Sequence, residues 1–221
     1  MSGRSRRKFF KEILSALGVL TVITVEPWFS FWPKASAKVK KKVLPRETDR
    51  NSLINENPEN LDAGNLEVTP LKDFGIMGLS DQKVDIGHWT LKVKGLVSNP
   101  LNLSYGQIRA LPFIERKVLM ICPGYFANQG LWKGISIQTL LAMAKVKTGI
   151  SHVTISGPEG DYSKPEQFPI QDILSDKVFL AYQVNGEDLP QKNGFPLRLV
   201  AEDYYGSFWV KYADTITVER I

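Results

Sequence analysis

The apolar residues of this chain come in short runs bounded by turn residues, and this pattern restricts the fold more than any other feature. The runs predict strands at the following positions: 89–95, 118–122, 153–155, 178–184, 196–200, 208–212 and 216–218. The pair Asn185-Gly186 is typical of a hairpin turn. Helical patterns are few: Ser104 can begin a short one that ends at Leu111, and Ser136 another that reaches about Lys145. Because strands dominate without regular helix alternation, the sequence predicts an α+β fold with substantial antiparallel sheet.

Positive charge is concentrated at the N-terminus. The 221-residue chain has a formal net charge of +5, but residues 1–37 hold six Lys/Arg against two Asp/Glu and so carry +4 of it. The remaining 184 residues hold 22 basic and 21 acidic side chains, a net charge of +1. A nearly neutral domain lacks the electrostatic footprint of DNA- and RNA-binding proteins, so we expect no nucleic-acid partner.

The N-terminal segment has the pattern of an export signal. Ser5-Arg6-Arg7-Lys8-Phe9-Phe10-Lys11 places two adjacent arginines before an apolar stretch, residues 13–25, that is short for a membrane span. Ala35-Ser36-Ala37 then gives a small-residue cleavage pattern. We therefore predict that residues 1–37 are a twin-arginine signal peptide, recognised by the twin-arginine translocase, and that the protein is periplasmic. That route carries folded proteins, which usually acquired a redox cofactor in the cytoplasm.

An uncleaved N-terminal membrane anchor is the alternative interpretation of this segment. The aromatic run at 27–32 extends the apolar stretch to roughly the ~20 residues that span a bilayer. Aromatic residues there also match the position of an interfacial belt.

After the signal, residues 38–65 are polar, rich in Asn, Glu and Pro, and without a hydrophobic period. This composition favours an extended or disordered linker. We expect residues 66–221 to form one domain, because a chain of this length supports a single sizeable core.

Most metal and cofactor motifs are absent from the sequence. His88 and His152 are the only histidines, which excludes a multi-histidine metal site. The single cysteine excludes iron–sulfur clusters, cysteine-rich zinc sites and covalent haem. The glycine-rich loops of nucleotide-binding proteins and the Gly-x-Ser-x-Gly nucleophile elbow are absent as well.

Cys122 remains as a candidate for chemistry. A lone thiol in an exported protein cannot form an internal disulfide, and the simplest role for it is that of a small buried apolar side chain. Its position at the end of a strand, before Pro123-Gly124, instead favours a metal ligand directed into a cavity, and a thiolate suits a soft metal. A thiol-based catalyst is disfavoured, because neither histidine can be placed beside Cys122 as a base.

Several ordered motifs resemble the sulfite oxidase family of molybdopterin enzymes. Cys122 and the following Trp132-Lys133-Gly134 resemble that family's metal-binding cysteine and its Trp-x-Gly. The C-terminal motifs that resemble it are Asn185-Gly186-Glu187-Asp188-Leu189-Pro190, Asn193-Gly194-Phe195-Pro196-Leu197-Arg198-Leu199-Val200 and Trp209-Val210-Lys211-Tyr212. The resemblance covers about residues 66–220 and implies the sulfite oxidase fold, with mixed sheets and few short helices.

This resemblance also implies a molybdenum–molybdopterin cofactor. Cys122 corresponds to the molybdenum ligand. The cofactor-binding residues that the resemblance implies are Gly157, Asn193, Arg198, Trp209, Val210 and Lys211. The protein would then be a mononuclear molybdenum oxidoreductase that performs two-electron oxygen-atom transfer. Its electron partner would be an external haem protein or a quinol-linked membrane protein, and we expect a monomer.

The chain departs from the family's pattern where sulfite oxidases carry positive charge. Ile76-Met77-Gly78 replaces an early arginine and histidine, and positions 123–132 contain no Arg or Lys. Tyr125-Phe126 would give the mouth of the site a neutral, aromatic lining. This favours reduction of an uncharged S- or N-oxide. The alternatives are sulfite-type oxidation by the same site, and a cofactor-free binding or scaffold module that retains the fold.

Overall fold

In the computed structural model, residues 40–220 are described, and they contain twelve strands, three short α-helices and five 3-10 helices. The strands are β1 (Lys42–Val43), β2 (Leu61–Asp62), β3 (Thr90–Gly95), β4 (Leu101–Ser104), β5 (Phe113–Cys122), β6 (Phe126–Ser136), β7 (His152–Ser156), β8 (Glu166–Pro169), β9 (Val178–Val184), β10 (Glu187–Asp188), β11 (Arg198–Ala201) and β12 (Thr215–Glu219). The α-helices are α1 (Tyr105–Arg109), α2 (Ile137–Ala144) and α3 (Ile170–Leu174). The 3-10 helices are Arg50–Leu53, Pro58–Asn60, Leu71–Asp73, Gln191–Asn193 and Gly206–Phe208.

The first five-stranded sheet is built on the long β5–β6 hairpin. These two strands pair antiparallel over ten residue pairs, the last of which is Cys122 with Phe126. Strand β9 lies beside β6, and both β10 and β11 pair with β9, all of them antiparallel. Because β5 and β11 run in opposite directions, the end of β5 and the start of β11 lie at the same end of the sheet.

The second five-stranded sheet has the order β4-β3-β12-β7-β8. Strands β3 and β12 are parallel, and the other neighbours are antiparallel. One large core joins the two sheets: Leu91 and Val93 of β3 belong to the same cluster as Trp132 of β6 and Phe179 of β9. Burying each such side chain contributes about 1.5–3 kcal/mol. The α+β class with mixed sheets and few short helices is confirmed.

Local sequence signals are confirmed at several elements. Strand β9 spans the predicted residues 178–184, and Asn185-Gly186 joins it to β10 as a two-residue hairpin turn. The hydroxyl of Ser104 caps α1 by accepting a hydrogen bond from the Gln107 amide, and the Gln107 side chain accepts one from the Ser104 amide. This reciprocal pair is the capping box that fixes the start of a helix.

The strand predicted at 208–212 is wrong. Gly206–Phe208 is a 3-10 helix, and the backbone of Tyr212 lies in the left-handed region, with φ 57°. Trp209 and Val210 are both buried, whereas a half-buried strand buries alternate residues. The apolar pattern here reflects an irregular segment that the core encloses.

The linker predicted at 38–65 is also wrong where the structure describes it. Strands β1 and β2 pair with each other, and residues from 44 onward pack against the first sheet. The buried cluster consists of Leu44, Leu53, Leu61, Leu66, Leu119, Ile121 and Ala127. The leucines are widely and irregularly spaced, so each anchors a separate bend and no period is visible in the sequence. We call residues 40–66 the N-terminal arm.

The arm packs against the back of the strand that carries the cysteine. Leu119 and Ile121 of β5 face the arm, and strand alternation turns Met120 and Cys122 to the opposite side. The arm is also tied to the turn after β5, because the Gly124 amide donates to the carbonyl of Ile54 at 3.1 Å. The domain therefore includes the arm and does not begin at residue 66.

Between residues 40 and 220, none of the helices is both long enough and apolar enough to cross a membrane. The predicted signal peptide, residues 1–37, lies outside the described residues. Export, cleavage and the anchor alternative stay predictions.

Candidate active site

A cavity of about 340 Å³ lies where β5 ends and β11 begins. Its walls come from segments that are far apart in the sequence: 75–79, the end of β5 with the turn after it, 161–164, 193–198 and 206–212. Five of the residues proposed from the sequence line it together, namely Cys122, Asn193, Arg198, Trp209 and Lys211. The fold thus brings one thiol and several cations to a common space.

Cys122 is held at the cavity wall by backbone on both sides. The turn after it is closed by a hydrogen bond from the Tyr125 amide to the Cys122 carbonyl, at 3.0 Å. The backbone of Gly206 lies against the sulfur, so that a Cβ added there would be 2.6 Å from Sγ. Real Cβ atoms do not approach a sulfur so closely, and a side chain at position 206 would displace the cysteine.

The surroundings of the Cys122 thiol act on its pKa in two opposite ways. Burial raises the pKa of the Cys122 thiol, and the positive charges of Arg198, Lys164 and Lys211 partly oppose this rise. A soft metal binds the thiolate, so metal binding would release the thiol proton. The three cations would then stabilise the thiolate that remains.

Arg198 is a nearly buried guanidinium with few partners. It is 5% exposed. Nη1 donates to the Asn193 carbonyl at 2.8 Å, and Nη2 donates to the thioether sulfur of Met120 at 3.1 Å, a weak acceptor. Nε is buried, and no group of residues 40–220 accepts a hydrogen bond from it. Burial lowers the pKa of Arg198 to about 10, which reflects a charge removed from water without a compensating carboxylate.

Two tryptophan rings hold this guanidinium in place. The Arg198 carbon Cζ lies 5.8 Å from the ring centroid of Trp132 and 5.5 Å from that of Trp209. The rings contact each other edge to face at 5.3 Å, and their N–H groups donate to the carbonyls of Val118 and Ala201. Their fixed positions and the cation–π attraction restrict the arginine to one orientation.

Lys211 and Asn193 add polar groups with spare capacity. Lys211 Nζ donates to the Leu79 carbonyl at 3.0 Å. Burial, together with the charge of Arg198, lowers the pKa of Lys211 to about 8. Asn193 is 2% exposed, and within the described part of the chain no donor reaches its buried Oδ1. Three polar groups therefore lie around one cavity with capacity to bind a ligand: the acceptor Asn193 Oδ1, the donor Arg198 Nε and the ammonium of Lys211.

Lys164 is a cavity residue that the sequence did not reveal. Its Nζ donates to the Trp209 carbonyl at 2.8 Å and to the Ser207 carbonyl, and it lies 3.7 Å from a Glu166 oxygen. Burial lowers the pKa of Lys164. It stands in a turn-rich segment 42 positions after Cys122, where no local pattern marks it.

Two residues implied by the resemblance do not line the cavity. Val210 is fully buried in the core, and its carbonyl accepts from the Leu199 amide at 2.8 Å. Gly157 lies behind the cavity wall, where an added Cβ would be 2.3 Å from the Tyr162 carbonyl oxygen. Its backbone supports the neighbouring loop, and its role toward a cofactor stays a prediction.

The rim of the cavity is apolar and exposed. Ile76, Met77, Leu79 and Tyr125 line the cavity and are between 37% and 73% exposed. Ile76, Met77 and Gly78, which the resemblance places where sulfite oxidases carry an early arginine and histidine, thus lie at this mouth. Phe126, the other predicted aromatic residue, also lines the cavity.

The donor groups fit a molybdopterin. Residues 40–220 contain no cluster of three or more His, Cys, Asp or Glu side chains that could hold a metal ion. The protein therefore offers a single thiolate at Cys122, and a cofactor with its own sulfur ligands would complete the coordination. The unpaired charges of Arg198 and Lys211 suit a phosphate, and the free Oδ1 of Asn193 suits an N–H of a pterin ring.

Both the sequence and the fold are similar to those of known proteins. Residues 78–220 match the family described as oxidoreductase molybdopterin binding domain. The chain is 34% identical over 126 residues to the uncharacterised oxidoreductase YuiH of Bacillus subtilis (strain 168), a match that covers 57% of this chain and 61% of YuiH. It is 31% identical over 180 residues to the protein-methionine-sulfoxide reductase catalytic subunit MsrP of Gluconobacter oxydans (strain 621H), covering 67% of this chain and 57% of MsrP.

Among solved structures, the sulfane dehydrogenase SoxCD of Paracoccus pantotrophus matches with a TM-score of 0.59 at 19% identity. The match covers 89% of this chain and 58% of that chain, and at this identity it bears on the fold alone. The chain spans about 60% of the length of each of these relatives. The fold expected from the sequence is confirmed, and the chain belongs to the sulfite oxidase family of molybdopterin-dependent oxidoreductases.

Proposed function

We propose that this protein is an exported, mononuclear molybdenum oxidoreductase that performs two-electron oxygen-atom transfer, in the direction of S- or N-oxide reduction. The observation that carries the proposal is the guanidinium of Arg198, which is 5% exposed and shares a cavity with the Cys122 thiol. No carboxylate of residues 40–220 forms an ion pair with it. A buried unpaired charge destabilises a fold, and an anionic ligand would remove that cost.

Each cavity residue has a distinct task toward the cofactor. Molybdenum–molybdopterin, when bound, supplies the two-electron oxygen-atom chemistry. Cys122 would contribute a thiolate ligand, and Asn193 Oδ1 would accept an N–H from the pterin. Arg198 offers a planar fork of donors to the phosphate, and Lys211 offers a point charge. A phosphate beside Lys211 would raise the pKa of that ammonium from about 8 and keep it charged.

The mouth of the cavity supports an uncharged substrate. Enzymes that act on anions commonly depend on positive charge preorganised beside the reacting atoms, and the rim formed by Ile76, Met77, Leu79 and Tyr125 offers none. A dipolar S- or N-oxide with an apolar substituent matches these side chains. MsrP is named as a reductase of protein methionine sulfoxide, which agrees with this direction of reaction.

One observation favours the second candidate, sulfite-type oxidation. Lys164 brings positive charge near Cys122, which the spacing of the sequence did not predict. Two of its N–H groups already donate to backbone carbonyls, so we favour the oxide. Steady-state assays on both substrates separate the candidates: we expect turnover of S- or N-oxides with an artificial electron donor and poor oxidation of sulfite. Efficient sulfite oxidation without oxide reduction would establish the second candidate.

The export route and the electron partner are part of the same proposal. The Arg6-Arg7 pair supports twin-arginine export to the periplasm, and replacing both residues by lysine should retain the precursor in the cytoplasm. Oxygen-atom transfer needs two electrons, so we propose an external haem protein or a quinol-linked membrane protein as the partner. We propose that the protein acts as a monomer.

Metal content tests the proposed function directly. Protein matured in a molybdenum-replete host should hold close to one molybdenum per chain, measured by elemental analysis together with release of the pterin. Cys122→Ala should lose the metal or bind it unstably, because it removes the only thiolate that the chain can supply. Wild-type protein that is free of molybdenum and pterin under these conditions would favour the scaffold module.

A further inference from the structure

The loop that carries Lys164 to the cavity is firmly held. The Gly157 amide donates to the Ser163 carbonyl at 2.8 Å, and the Ser163 amide donates to the Gly160 carbonyl at 3.1 Å. The ring of Tyr162 packs edge to face on Tyr212, at 5.4 Å between centroids. Lys164 itself lies in the left-handed region, with φ 29°, an unfavourable conformation for a lysine that its surroundings must maintain. The loop thus presents Lys164 in a fixed direction.

The ammonium of Lys164 is bonded to the turn that closes the cavity. Nζ donates to the carbonyls of Ser207 and Trp209, one within the 3-10 helix Gly206–Phe208 and one immediately after it. Charge-assisted hydrogen bonds are stronger than neutral ones. A single side chain therefore links this turn to a loop more than forty residues earlier in the sequence.

The same turn lies directly against the cysteine. An added Cβ on Gly206 would be 2.6 Å from Cys122 Sγ and 3.2 Å from the Met120 side chain. If Gly206 moved, the Cys122 sulfur would become more accessible or would be blocked on that side. The contacts form a short chain from Lys164 through the turn to the thiol.

We propose that Lys164 is a positioning residue for Cys122: by holding the Ser207 and Trp209 carbonyls, it keeps Gly206 against the sulfur and so fixes the direction and the shielding of the metal ligand. The significance of this role rests on the proposed function, in which Cys122 binds molybdenum. The contacts themselves belong to the protein without a cofactor, so they are testable without turnover.

The test is the rate at which Cys122 of the cofactor-free full-length protein reacts with an aromatic disulfide reagent at fixed pH. Cys122 is the only cysteine, so the signal has one source. Lys164→Met keeps the aliphatic stem and removes the donors. We expect Cys122 in that variant to react about ten-fold faster or more, since losing a charge-assisted hydrogen bond changes a local opening equilibrium by at least that factor. Lys164→Arg retains donors and should react near the wild-type rate.

The sign of the change separates positioning from a simple effect of charge. Removing a nearby cation disfavours the thiolate and would slow the reaction, whereas loosening the turn accelerates it. The matched control is Lys94→Met, on the exposed side of β3, which should leave the rate unchanged. Below the unfolding transition, the reaction rate of Lys164→Met should hardly depend on urea concentration, because a local opening of the turn exposes little surface.

An unchanged or slower reaction in Lys164→Met would overturn the proposal, as would an acceleration whose urea dependence is as steep as that of global unfolding. If Lys164→Met does not fold, hydrogen exchange in the wild type decides. The amides of Phe208 and Trp209 donate within the turn and should be protected, and free exchange at both would overturn the proposal. Absence of molybdenum from wild-type protein would contradict the proposed function and leave these rates unaffected.

Discussion

The two ends of strand β11 carry charge in opposite ways. Beyond its C-terminal end, Glu202 pairs with Arg116, and Asp203 pairs with both Lys41 and Lys177. The carboxylate of Asp203 is only 7% exposed, and Lys41 reaches it from the N-terminal arm. This cluster is partly buried and its charges are paired, so it joins the arm to the first sheet.

At the N-terminal end of β11 the cations lack such partners. Arg198 and Lys211 form no ion pair with any carboxylate of residues 40–220, and Lys164 has only Glu166, at 3.7 Å. Charged side chains are withdrawn from water at both ends of β11. Only at the C-terminal end are the cations paired with carboxylates of the protein. The paired cluster therefore stabilises the fold, whereas the unpaired cluster suits the anionic ligand that we propose.

The largest effect is expected from removing the unpaired arginine. Arg198→Ala should keep the fold and weaken cofactor retention by roughly 10- to 100-fold, because a charge-assisted bond to phosphate contributes about 1.5–3 kcal/mol. The measurement is the pterin and molybdenum content after dialysis of matched preparations. Arg109→Ala is the control, since that arginine already pairs with Asp188 on the surface.

Arg198→Lys makes this test more specific. It keeps the charge and loses the planar fork, so retention should fall between that of wild type and Arg198→Ala. Full cofactor occupancy in Arg198→Ala and in Lys211→Ala would show that the phosphate lies elsewhere. The unpaired cations at the N-terminal end of β11 would then not be a phosphate site.

A substitution in the paired cluster beyond the C-terminal end of β11 should change the stability of the protein and leave its cofactor content unchanged. Asp203→Asn preserves a residue type that tolerates the left-handed backbone found there, φ 74°, but it removes the charge shared by two lysines. We expect a loss of roughly 1–3 kcal/mol in the free energy of unfolding, measured with urea. Asp85→Asn, at an exposed carboxylate paired with His88, should change stability little. Loss of cofactor without loss of stability in Asp203→Asn would reverse the roles assigned to the two ends.

Sequence reasoning succeeded where the signal is local. Strand β9 is a continuous apolar run with a hairpin turn after it, and the capping box of α1 needs only four consecutive residues. Strand β5 was predicted only from 118, because its first half contains Glu115, Arg116 and Lys117, whose charges hide the alternation of an exposed strand. Cys122 does end a strand and line a cavity, as its rarity and its place before Pro123-Gly124 indicated, and its role as a metal ligand stays a prediction.

The sequence failed where contacts join distant segments. Lys164 meets the cavity only through the fold, and nothing in its immediate sequence distinguishes it from a surface-loop residue. The rim at 75–79 was placed near the site by the family resemblance alone. The arm was misread because irregularly spaced leucines, each buried at a separate bend, have no period. The segment 208–212 was misread for the converse reason: enclosure on all sides gave it an apolar pattern that resembles a strand.

The smallest expected effect is on the pH dependence of stability. It tests whether the buried Lys211 ammonium destabilises the cofactor-free protein. The pKa of Lys211 is lowered from 10.5 to about 8 by burial and by Arg198, so between these values the folded protein has released a proton that the unfolded chain still binds. Stability rises with pH wherever the unfolded state binds more protons. Cofactor-free wild type should therefore become more stable between pH 8 and 10, by less than about 1 kcal/mol because solvent screens this partly exposed group.

Lys211→Met should lack that gain in stability, and cofactor-loaded wild type should lack it as well, since a phosphate would keep the ammonium charged. Urea unfolding at pH 7.5 and 9.5 measures all three, and equal pH responses in wild type and Lys211→Met would show that the empty site carries no unpaired charge at this position.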